Sequence, residues 1–272
     1  MSYVLVTNIY NEEEHIPRLI ENIANQTLRP ECWVWIDDGS TDKGLNVAIE
    51  NAKRRGLPIA TFQLPPKRMG KLDTIGRAWN KAHGYIINNL SADYLSVADV
   101  DTEFPLDYFE RMVEFMNQNP EVGVSSGRIE GDPHEVLRVP MGLGKMVRWK
   151  ILQSFNKYWD LAPDSFFNIK AQRLGYKMRI LDIYVKSAAM TILSEKGRYR
   201  YGRRSYYIGK HPILVGFEAL KLLFSHQHAT EFLRGYWSEW GRGKWRCDDP
   251  DVLYIYSLRC QIDGIQRKMG ML

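Results

Sequence analysis

The sequence predicts an α/β fold in which a doubly wound sheet carries helices on both faces and is followed by a mainly helical C-terminal extension. Over the first hundred residues, short apolar runs alternate with stretches of helical periodicity, which is typical of strands joined by crossover helices. Polar clusters, mostly acidic, follow three of these runs. Beyond about residue 185 the composition changes, and arginines alternate with tyrosines. We therefore expect two regions, residues 1–185 and residues 186–272.

The composition is that of an ordinary globular protein. Of the 272 residues, 44% are hydrophobic and 25% are charged, which excludes a disordered chain, a collagen-like repeat and a disulfide-rich miniprotein. The formal net charge of +5 and the pI near 9.0 suit nucleic acid, phosphorylated small molecules or an anionic membrane surface. The charge alone does not choose among these partners.

The cysteines and the N-terminus predict a protein of a reducing compartment. Cys32, Cys247 and Cys260 match no zinc or redox spacing, so we expect free thiols. The N-terminus begins with a strand pattern rather than a signal peptide, and no run of about 18 apolar residues occurs. We expect a cytoplasmic protein that could bind peripherally to the cytoplasmic face of a membrane.

Each predicted element rests on its own periodicity. Residues 4–7 form an apolar run that predicts a buried parallel strand, whereas residues 12–26 place Ile16, Leu19 and Ile23 at helical spacing. The other predicted strands are residues 33–36, 59–64, 94–98, 122–126 and 176–183. The other predicted helices are residues 41–55, 71–83, 106–116, 164–174 and 213–224. Residues 131–160 are expected to be irregular.

Polar clusters follow three of the predicted strands directly. They comprise residues 8–11 after the first strand, 37–42 after the second and 99–101 after the fourth. In open α/β sheets, ligands bind beyond the carboxyl ends of the strands. The three clusters are therefore expected to lie along one edge of the sheet, although they are far apart in sequence.

The aspartates of the third cluster favour a metal site. Asp99 and Asp101 flank a single residue, and two carboxylates held together repel each other unless a cation is present. Mg²⁺ prefers one or two protein carboxylates together with substrate phosphates. The pair therefore predicts a metal–diphosphate site, with a solvated turn as the alternative.

Four stretches together resemble a known family. They are Val4-Leu-Val-Thr-Asn-Ile-Tyr-Asn-Glu-Glu, Ile36-Asp-Asp-Gly-Ser-Thr-Asp42, Gly70-Lys71 and Asp99-Val-Asp101. In order and spacing they resemble the nucleotide-sugar domain of the family 2 glycosyltransferases, over about residues 3–185. The resemblance implies a GT-A fold with a mixed sheet, and an inverting enzyme that uses a UDP- or GDP-linked sugar with Mg²⁺ or Mn²⁺.

The resemblance also implies roles for individual residues. Tyr10 would flank the nucleotide base, Asn8 and Ile9 would line its site, and Asp38 would accept a hydrogen bond from the base. The other residues implied in donor binding are Asn11, Glu12, Lys71, Asp99, Val100 and Asp101. Asp101 would be the principal metal ligand, while Asp99 would contact the ribose or the metal. The family often has asparagine five residues after the lysine, where this chain has Gly76.

The catalytic base is implied by a second acidic stretch. Inverting transfer needs a carboxylate that deprotonates the acceptor hydroxyl. The family usually supplies an acidic pair that opens a helix; here Pro163 replaces the first acid and Asp164 stands at the second. We expect Asp164 to be the base, with Asp160 as its rival. A purely structural role for Asp164, as the N-cap of that helix, is compatible with this assignment.

The C-terminal extension leaves several functions open. Its interleaved arginines and aromatics could bind nucleic acid, a phosphate-bearing lipid or a lipid headgroup layer. We expect an acceptor, either a glycan or lipid-linked, or a membrane contact in this region, and no nucleic acid. Two alternatives to a glycosyltransferase are a nucleotidyltransferase that acts on sugar phosphates and a non-enzymatic basic binding protein.

Overall fold

The computed structural model describes residues 1–66, 75–131, 139–140, 142–187, 194–243 and 245–268. The chain divides into two compact units, Met1–Ala188 and Ala189–Leu272. Lys71, expected at the donor site, lies outside the described residues.

The first unit is built on a seven-stranded sheet with the strand order β3-β2-β1-β4-β6-β5-β7. Its strands are β1 (Tyr3–Ile9), β2 (Cys32–Asp37), β3 (Ile59–Gln63), β4 (Tyr94–Val97), β5 (Val122–Ile129), β6 (Met146–Arg148) and β7 (Lys177–Val185). The β1–β2, β2–β3, β1–β4 and β5–β7 pairs are parallel, and β6 runs antiparallel to both β4 and β5. The predicted mixed α/β sheet is therefore confirmed.

The helices of this unit follow the predicted alternation. They are α1 (Ile16–Ala24), α2 (Gly44–Arg54), α3 (Ile75–Asn89), α4 (Tyr108–Gln118), α5 (Trp149–Leu152) and α6 (Pro163–Arg173). The apolar face that the periodicity predicts for α1 is fully buried, in the same core cluster as β1, β2 and α4.

Two predictions for this unit were wrong in detail. Residues 131–160 were expected to be irregular, yet they contain β6 and α5. A strand of three residues is too short to show a period of two, and β6 forms because its edges pair with β4 and β5. Helix α1 begins at Ile16 instead of residue 12, because residues 12–15 form a turn in which His15 N donates to Glu12 O at 3.0 Å.

The second unit is helical. Its helices are α7 (Glu195–Tyr207), α8 (Pro212–Phe224), α9 (Ala229–Arg242), α10 (Pro250–Ile255) and α11 (Leu258–Lys268). Helices α7 and α9 cross closely at two glycines: a Cβ on Gly202 would lie 1.9 Å from Phe232 O, and one on Gly235 would lie 2.1 Å from Tyr199 O. Only glycine, which has a hydrogen atom as its side chain, leaves room for this contact on each helix.

Arginines of α7 pair within the second unit. Arg203 forms a hydrogen-bonded ion pair with Glu239, which is only 3% exposed, and Arg198 donates to Gln227. These two arginines therefore hold α7 to neighbouring segments of its own unit. They do not form the exposed basic surface that the sequence suggested.

Helix length and the state of the cysteines are two further features of the structure. Over the part of the chain that the structure describes, no helix is long and apolar enough to span a bilayer. Cys32, Cys247 and Cys260 are free thiols, as predicted.

Candidate active site

A cavity of about 1010 Å³ opens at the carboxyl ends of β1, β2 and β4 in the first unit. Its lining includes many of the residues that the sequence singles out, namely Asn8, Tyr10, Glu12, Asp38, Asp99, Val100, Asp101 and Asp164. These residues come from four separate segments. The parallel pairing of β2, β1 and β4 brings three of the segments to one edge of the sheet.

The loops after β1 and β2 are joined by side-chain hydrogen bonds. Asn11, held in the left-handed region with φ 56°, accepts from Thr41 N at 2.8 Å, and its own N–H donates to Ser40 Oγ at 3.1 Å. Asp42 accepts from Glu13 N at 3.0 Å. This mutual bracing fixes the two loops that carry Tyr10 and Asp38 relative to each other.

Asp37 and its neighbour Asp38 have different environments. The carboxylate of Asp37 accepts from Ser40 N at 2.8 Å and from Gln63 Nε2 at 3.0 Å, which is the chemistry of a turn. Asp38 is buried and lines the cavity. Tyr10, also in the lining, keeps 42% of its surface exposed. The buried Oδ1 of Asn8 has no hydrogen-bond partner among the described residues, so this cavity-lining side chain retains an unused acceptor.

The segment after β4 turns sharply and carries the aspartate pair. Thr102 N donates to Asp99 O at 3.1 Å, which closes the turn that holds Asp99 and Asp101. The Oδ2 of Asp101 accepts from Ser187 Oγ at 3.4 Å, and its backbone carbonyl accepts from Arg18 at 3.1 Å. The Asp101 end of the turn is thus anchored by two contacts, and both carboxylates line the cavity.

Asp164 enters the cavity from the first turn of α6. The N-cap of this helix is Ala162, and Pro163 occupies the first helical position, so the alternative role of Asp164 as an N-cap is wrong. The carboxylate is half-buried and lines the cavity. Asp160, its sequence rival, is not among the lining residues.

The cavity concentrates negative charge. The pKa of Asp99 is raised to about 7, chiefly because protein atoms crowd its carboxyl group. The charges of Asp101, Asp164 and Glu12 add to the shift, in that order. The Asp99 side chain is exposed to the open cavity, so solvent screens part of this effect. The pKa of Glu12 is also raised, chiefly by burial, with Asp101 and Asp42 adding to the shift against the charge of His15. A cation or a proton is therefore stabilised here.

The donor set fits a divalent metal that is completed by its substrate. Within the described ranges, no group of three or more His, Cys, Asp or Glu side chains is arranged to hold a metal by itself. Asp99, whose pKa is raised, and Asp101 supply two carboxylates as hard oxygen donors. Mg²⁺ commonly takes one or two protein carboxylates when phosphates fill its other positions. The residues present fit such an ion.

Two of the expected site residues lie away from the cavity. Ile9 is 1% exposed and belongs to the hydrophobic core. Asn11 faces a neighbouring concavity on the surface and spends its side chain on Thr41. Both residues help to shape the chain between β1 and α1. In the part of the chain that the structure describes, neither belongs to the cavity lining.

The departure at Gly76 has a steric cause. A Cβ at this position would lie 1.8 Å from the carbonyl oxygen of Trp159, and Gly76 N donates to Asp160 O at 3.4 Å. The start of α3 therefore touches the backbone that leads into α6. An asparagine side chain has no room here.

Sequence reasoning missed several cavity residues. His15 and Arg18 come from the loop and the exposed side of α1, while Glu103 and Lys186 face each other in an ion pair of 3.7 Å at the cavity edge. A backbone bridge also joins Glu103 to Lys186. None of these residues belongs to a recognisable motif, and their proximity depends on the end of β7 reaching the loop after β4.

Comparisons with known proteins identify the architecture as the GT-A fold of glycosyltransferases. Residues 4–179 match the model of the family described as glycosyl transferase family 2. These residues make up more than half of the chain, and the chain belongs to that family. This result decides against the nucleotidyltransferase and the non-enzymatic binding protein. A search of curated protein sequences finds no significant match.

Solved structures show the same fold at low sequence identity. A mannosyltransferase from Pyrobaculum calidifontis, PcManGT, solved with GDP-Man and Mn²⁺, gives a TM-score of 0.60 at 17% identity, covering 99% of this chain and 82% of that one. S. aureus TarS 1–349 with UDP-GlcNAc gives 0.53 at 18%, covering 88% and 73%. Glucosyl-3-phosphoglycerate synthase from Mycobacterium tuberculosis, with Mn²⁺, UDP and phosphoglyceric acid, gives 0.50 at 18%, covering 74% and 76%.

Proposed function

We propose that this glycosyltransferase is an inverting enzyme that moves a sugar from a UDP- or GDP-linked donor to a hydroxyl or lipid-phosphate acceptor. One observation carries the proposal: Asp38, Asp99, Asp101 and Asp164 come from three separate segments and line one cavity. The volume of about 1010 Å³ is at the upper end of the range for small-molecule sites, which suits a donor and part of an acceptor together.

The nucleoside part of the donor is assigned to the braced loops after β1 and β2. Tyr10 offers an exposed ring for stacking on the base, and Asp38 offers a carboxylate that accepts an N–H from uracil or guanine. The unused Oδ1 acceptor of Asn8 supports a polar ligand at this end of the cavity. Glu12 and Val100 lie along the same lining, and a role for Lys71 stays a prediction.

The diphosphate is assigned to the aspartate pair. Asp99 and Asp101 would hold Mg²⁺ or Mn²⁺, and the other ligand positions would fall to diphosphate oxygens and water. When bound, such an ion neutralises the negative charge that develops on the departing diphosphate. The anchoring of Asp101 by Ser187 and Arg18 keeps its carboxylate oriented before the donor enters.

Asp164 is assigned as the general base. Its carboxylate takes the proton of the acceptor hydroxyl while the acceptor oxygen attacks the anomeric carbon. The bond between that carbon and the diphosphate oxygen breaks on the opposite side, and the nucleoside diphosphate leaves with the electron pair. A single displacement of this kind inverts the configuration at the anomeric carbon.

The two acceptor classes place different demands on Asp164. A hydroxyl acceptor must lose a proton, whereas a phosphate monoester is already ionised near neutral pH because its second pKa is about 6. Asp164→Asn should therefore lower transfer to a hydroxyl by about 10²–10⁴-fold and lower transfer to a lipid phosphate much less. A large loss of transfer in Asp164→Asn therefore identifies a hydroxyl acceptor, and a small loss identifies a lipid phosphate.

The test is a donor panel of UDP- and GDP-sugars assayed for hydrolysis and transfer with and without Mn²⁺. Asp164→Asn is compared with Asp160→Asn, which removes a nearby carboxylate outside the cavity lining. We expect normal transfer in Asp160→Asn. Normal transfer to a hydroxyl acceptor in Asp164→Asn, or donor turnover that ignores Mn²⁺, would count against the proposal. The role of residues 186–272 in acceptor binding is proposed on their basic and aromatic composition alone.

A further inference from the structure

Helix α8 presents an apolar stripe to solvent. Ile213, Phe217, Leu220 and Phe224 are spaced four, three and four residues apart, which places them on one face of the helix. They are 52%, 61%, 51% and 82% exposed, in that order, and Leu223 beside them is 60% exposed. The opposite face, with Val215, Ala219 and Leu222, is buried in the small core of the second unit. A helix with apolar residues on both faces normally has both faces covered.

The unit that carries the stripe is cationic. Residues 189–272 contain 14 lysines and arginines and 8 aspartates and glutamates, an excess of six positive charges, while the whole chain has +5. Among the described residues of this unit, Lys196, Arg200, Lys221, Arg234, Arg242, Arg246 and Arg259 are exposed, against two exposed acids, Glu195 and Asp248. The exposed charge of this unit therefore has one dominant sign.

We propose that the α8 stripe, defined by Ile213, Phe217, Leu220 and Phe224, docks in the plane of an anionic lipid surface. Thirteen residues of helix span about 20 Å, which is too short to cross a hydrocarbon core of about 30 Å, so the helix lies in the interface. Apolar side chains enter the acyl boundary, and the exposed cations of this unit are attracted to anionic headgroups. A second copy of the chain is disfavoured as the occupant because two units of the same charge repel each other.

Vesicle co-sedimentation of the full chain tests this surface. We expect binding to vesicles of phosphatidylcholine mixed with phosphatidylglycerol, weaker binding to pure phosphatidylcholine, and weakening by salt. The double variant Phe217→Ser/Phe224→Ser should lower the partition coefficient at least about tenfold. Leu106→Ser is the matched control, because Leu106 is 58% exposed on the first unit. Both changes lie on exposed positions, so folding should be preserved, and circular dichroism checks this.

Three results overturn the proposal. They are the absence of binding of the wild-type chain to anionic vesicles, equal binding by the double variant, and an equal loss in Leu106→Ser. Light scattering at several protein concentrations tests the other occupant. A dimer that the double variant dissociates would assign the stripe to self-association instead of lipid.

A second feature, carried by an independent observation, is the fully buried lysine Lys145. Its ammonium donates to the backbone carbonyl of Asp164 at 2.6 Å and to Asn168 Oδ1 at 3.0 Å, both on α6. Its own carbonyl accepts from Ser96 Oγ at 3.0 Å and from Val97 N at 2.9 Å, at the end of β4. One residue thus joins the strand that leads to Asp99 with the helical turn that carries Asp164.

We infer that Lys145 is a positioning residue that fixes the first turn of α6, and hence the Asp164 carboxylate, against the end of β4. Burying a charge is costly. The protein nevertheless has a lysine here, although an uncharged donor could have made the same two hydrogen bonds. Asn168 extends the contact by donating to Pro140 O at 3.0 Å. This inference rests on the proposed role of Asp164.

The test separates catalytic rate from donor binding. Lys145→Met keeps the length of the side chain and removes its donors. We expect kcat for transfer to a hydroxyl acceptor to fall about tenfold to hundredfold, while Kd for the nucleoside diphosphate that binds the wild type changes less than about twofold. Lys170→Met, which removes the buried lysine that belongs to α6 itself, is the control and should keep the wild-type kcat. Should Lys145→Met not fold, Asn168→Ala is measured in the same way and should lose rate without losing binding.

Failure of this inference and failure of the proposed function give different results. A wild-type kcat in Lys145→Met or Asn168→Ala, or a parallel loss of rate and binding, overturns the positioning role. If Asp164→Asn transfers to a hydroxyl at the wild-type rate, the proposed base is wrong, and the purpose given to Lys145 falls with it.

Discussion

Burial of Lys145 makes a stability prediction that needs no substrate. Burial lowers the pKa of its ammonium from 10.5 to about 8, against the opposing attraction of Asp164. The charged form is therefore disfavoured in the folded state. Below pH 8 this penalty is fully present, and it is lost as the pH rises through 8 towards 10.5, because the unfolded chain binds more protons over that window. The difference in pKa corresponds to about 3 kcal/mol.

Urea unfolding followed by tryptophan fluorescence measures the effect. Other groups also titrate between pH 8 and 10.5, so wild type is compared with Lys145→Met at each pH. The hydrogen bonds lost in the variant contribute an offset that does not depend on pH. We expect the unfolding free energy of the wild type, relative to the variant, to rise by about 3 kcal/mol across the window. A flat or falling difference would refute the argument that this lysine is buried and charged at neutral pH.

Two further predictions concern packing in each unit. Gly76→Ala should destabilise the first unit by at least about 2 kcal/mol, because the new Cβ would meet Trp159 O at 1.8 Å. A Cβ at Gly84 in the same helix has nothing within 4 Å, so Gly84→Ala should stabilise the unit slightly. Equal effects of the two substitutions in denaturant melts would contradict this. Glu239→Ala should lower the stability of the second unit by about 3–5 kcal/mol, because it removes the ion-pair partner of Arg203. Glu231→Ala, at a more exposed ion pair, should cost less than about 1 kcal/mol. Melting temperatures that fall equally in calorimetry would show that Glu239 is not essential to the second unit.

The sequence was sufficient for features that periodicity and strand pairing determine. Apolar runs placed β1, β2 and β4, and the rule that ligands lie beyond strand ends brought the loops of Asp38 and Asp99 to one cavity. Helix α8 was predicted because most of its residues are apolar, with Glu218 and Lys221 as interruptions. Which of its faces is buried depends on packing against the rest of its unit, and the sequence pattern does not contain that information.

Features that depend on contacts between distant segments could not be predicted. Strand β6 exists only because two neighbours pair with it, and Lys145 stands in a stretch with no periodicity. The resemblance leads one to expect asparagine at position 76, yet the backbone of Trp159 leaves no room for a side chain there. Arg203 looked like part of a binding surface, and its partner Glu239 lies 36 residues away in sequence.

Calorimetric titration with UDP and GDP tests most directly whether separate acidic segments form one metal-dependent donor site. Wild type and Asp101→Asn are titrated in Mn²⁺ and again in EDTA, with circular dichroism as a check on folding. We expect one of the two nucleotides to bind in Mn²⁺, and binding to weaken at least about tenfold in EDTA and in the variant. Equal binding under all of these conditions would contradict it.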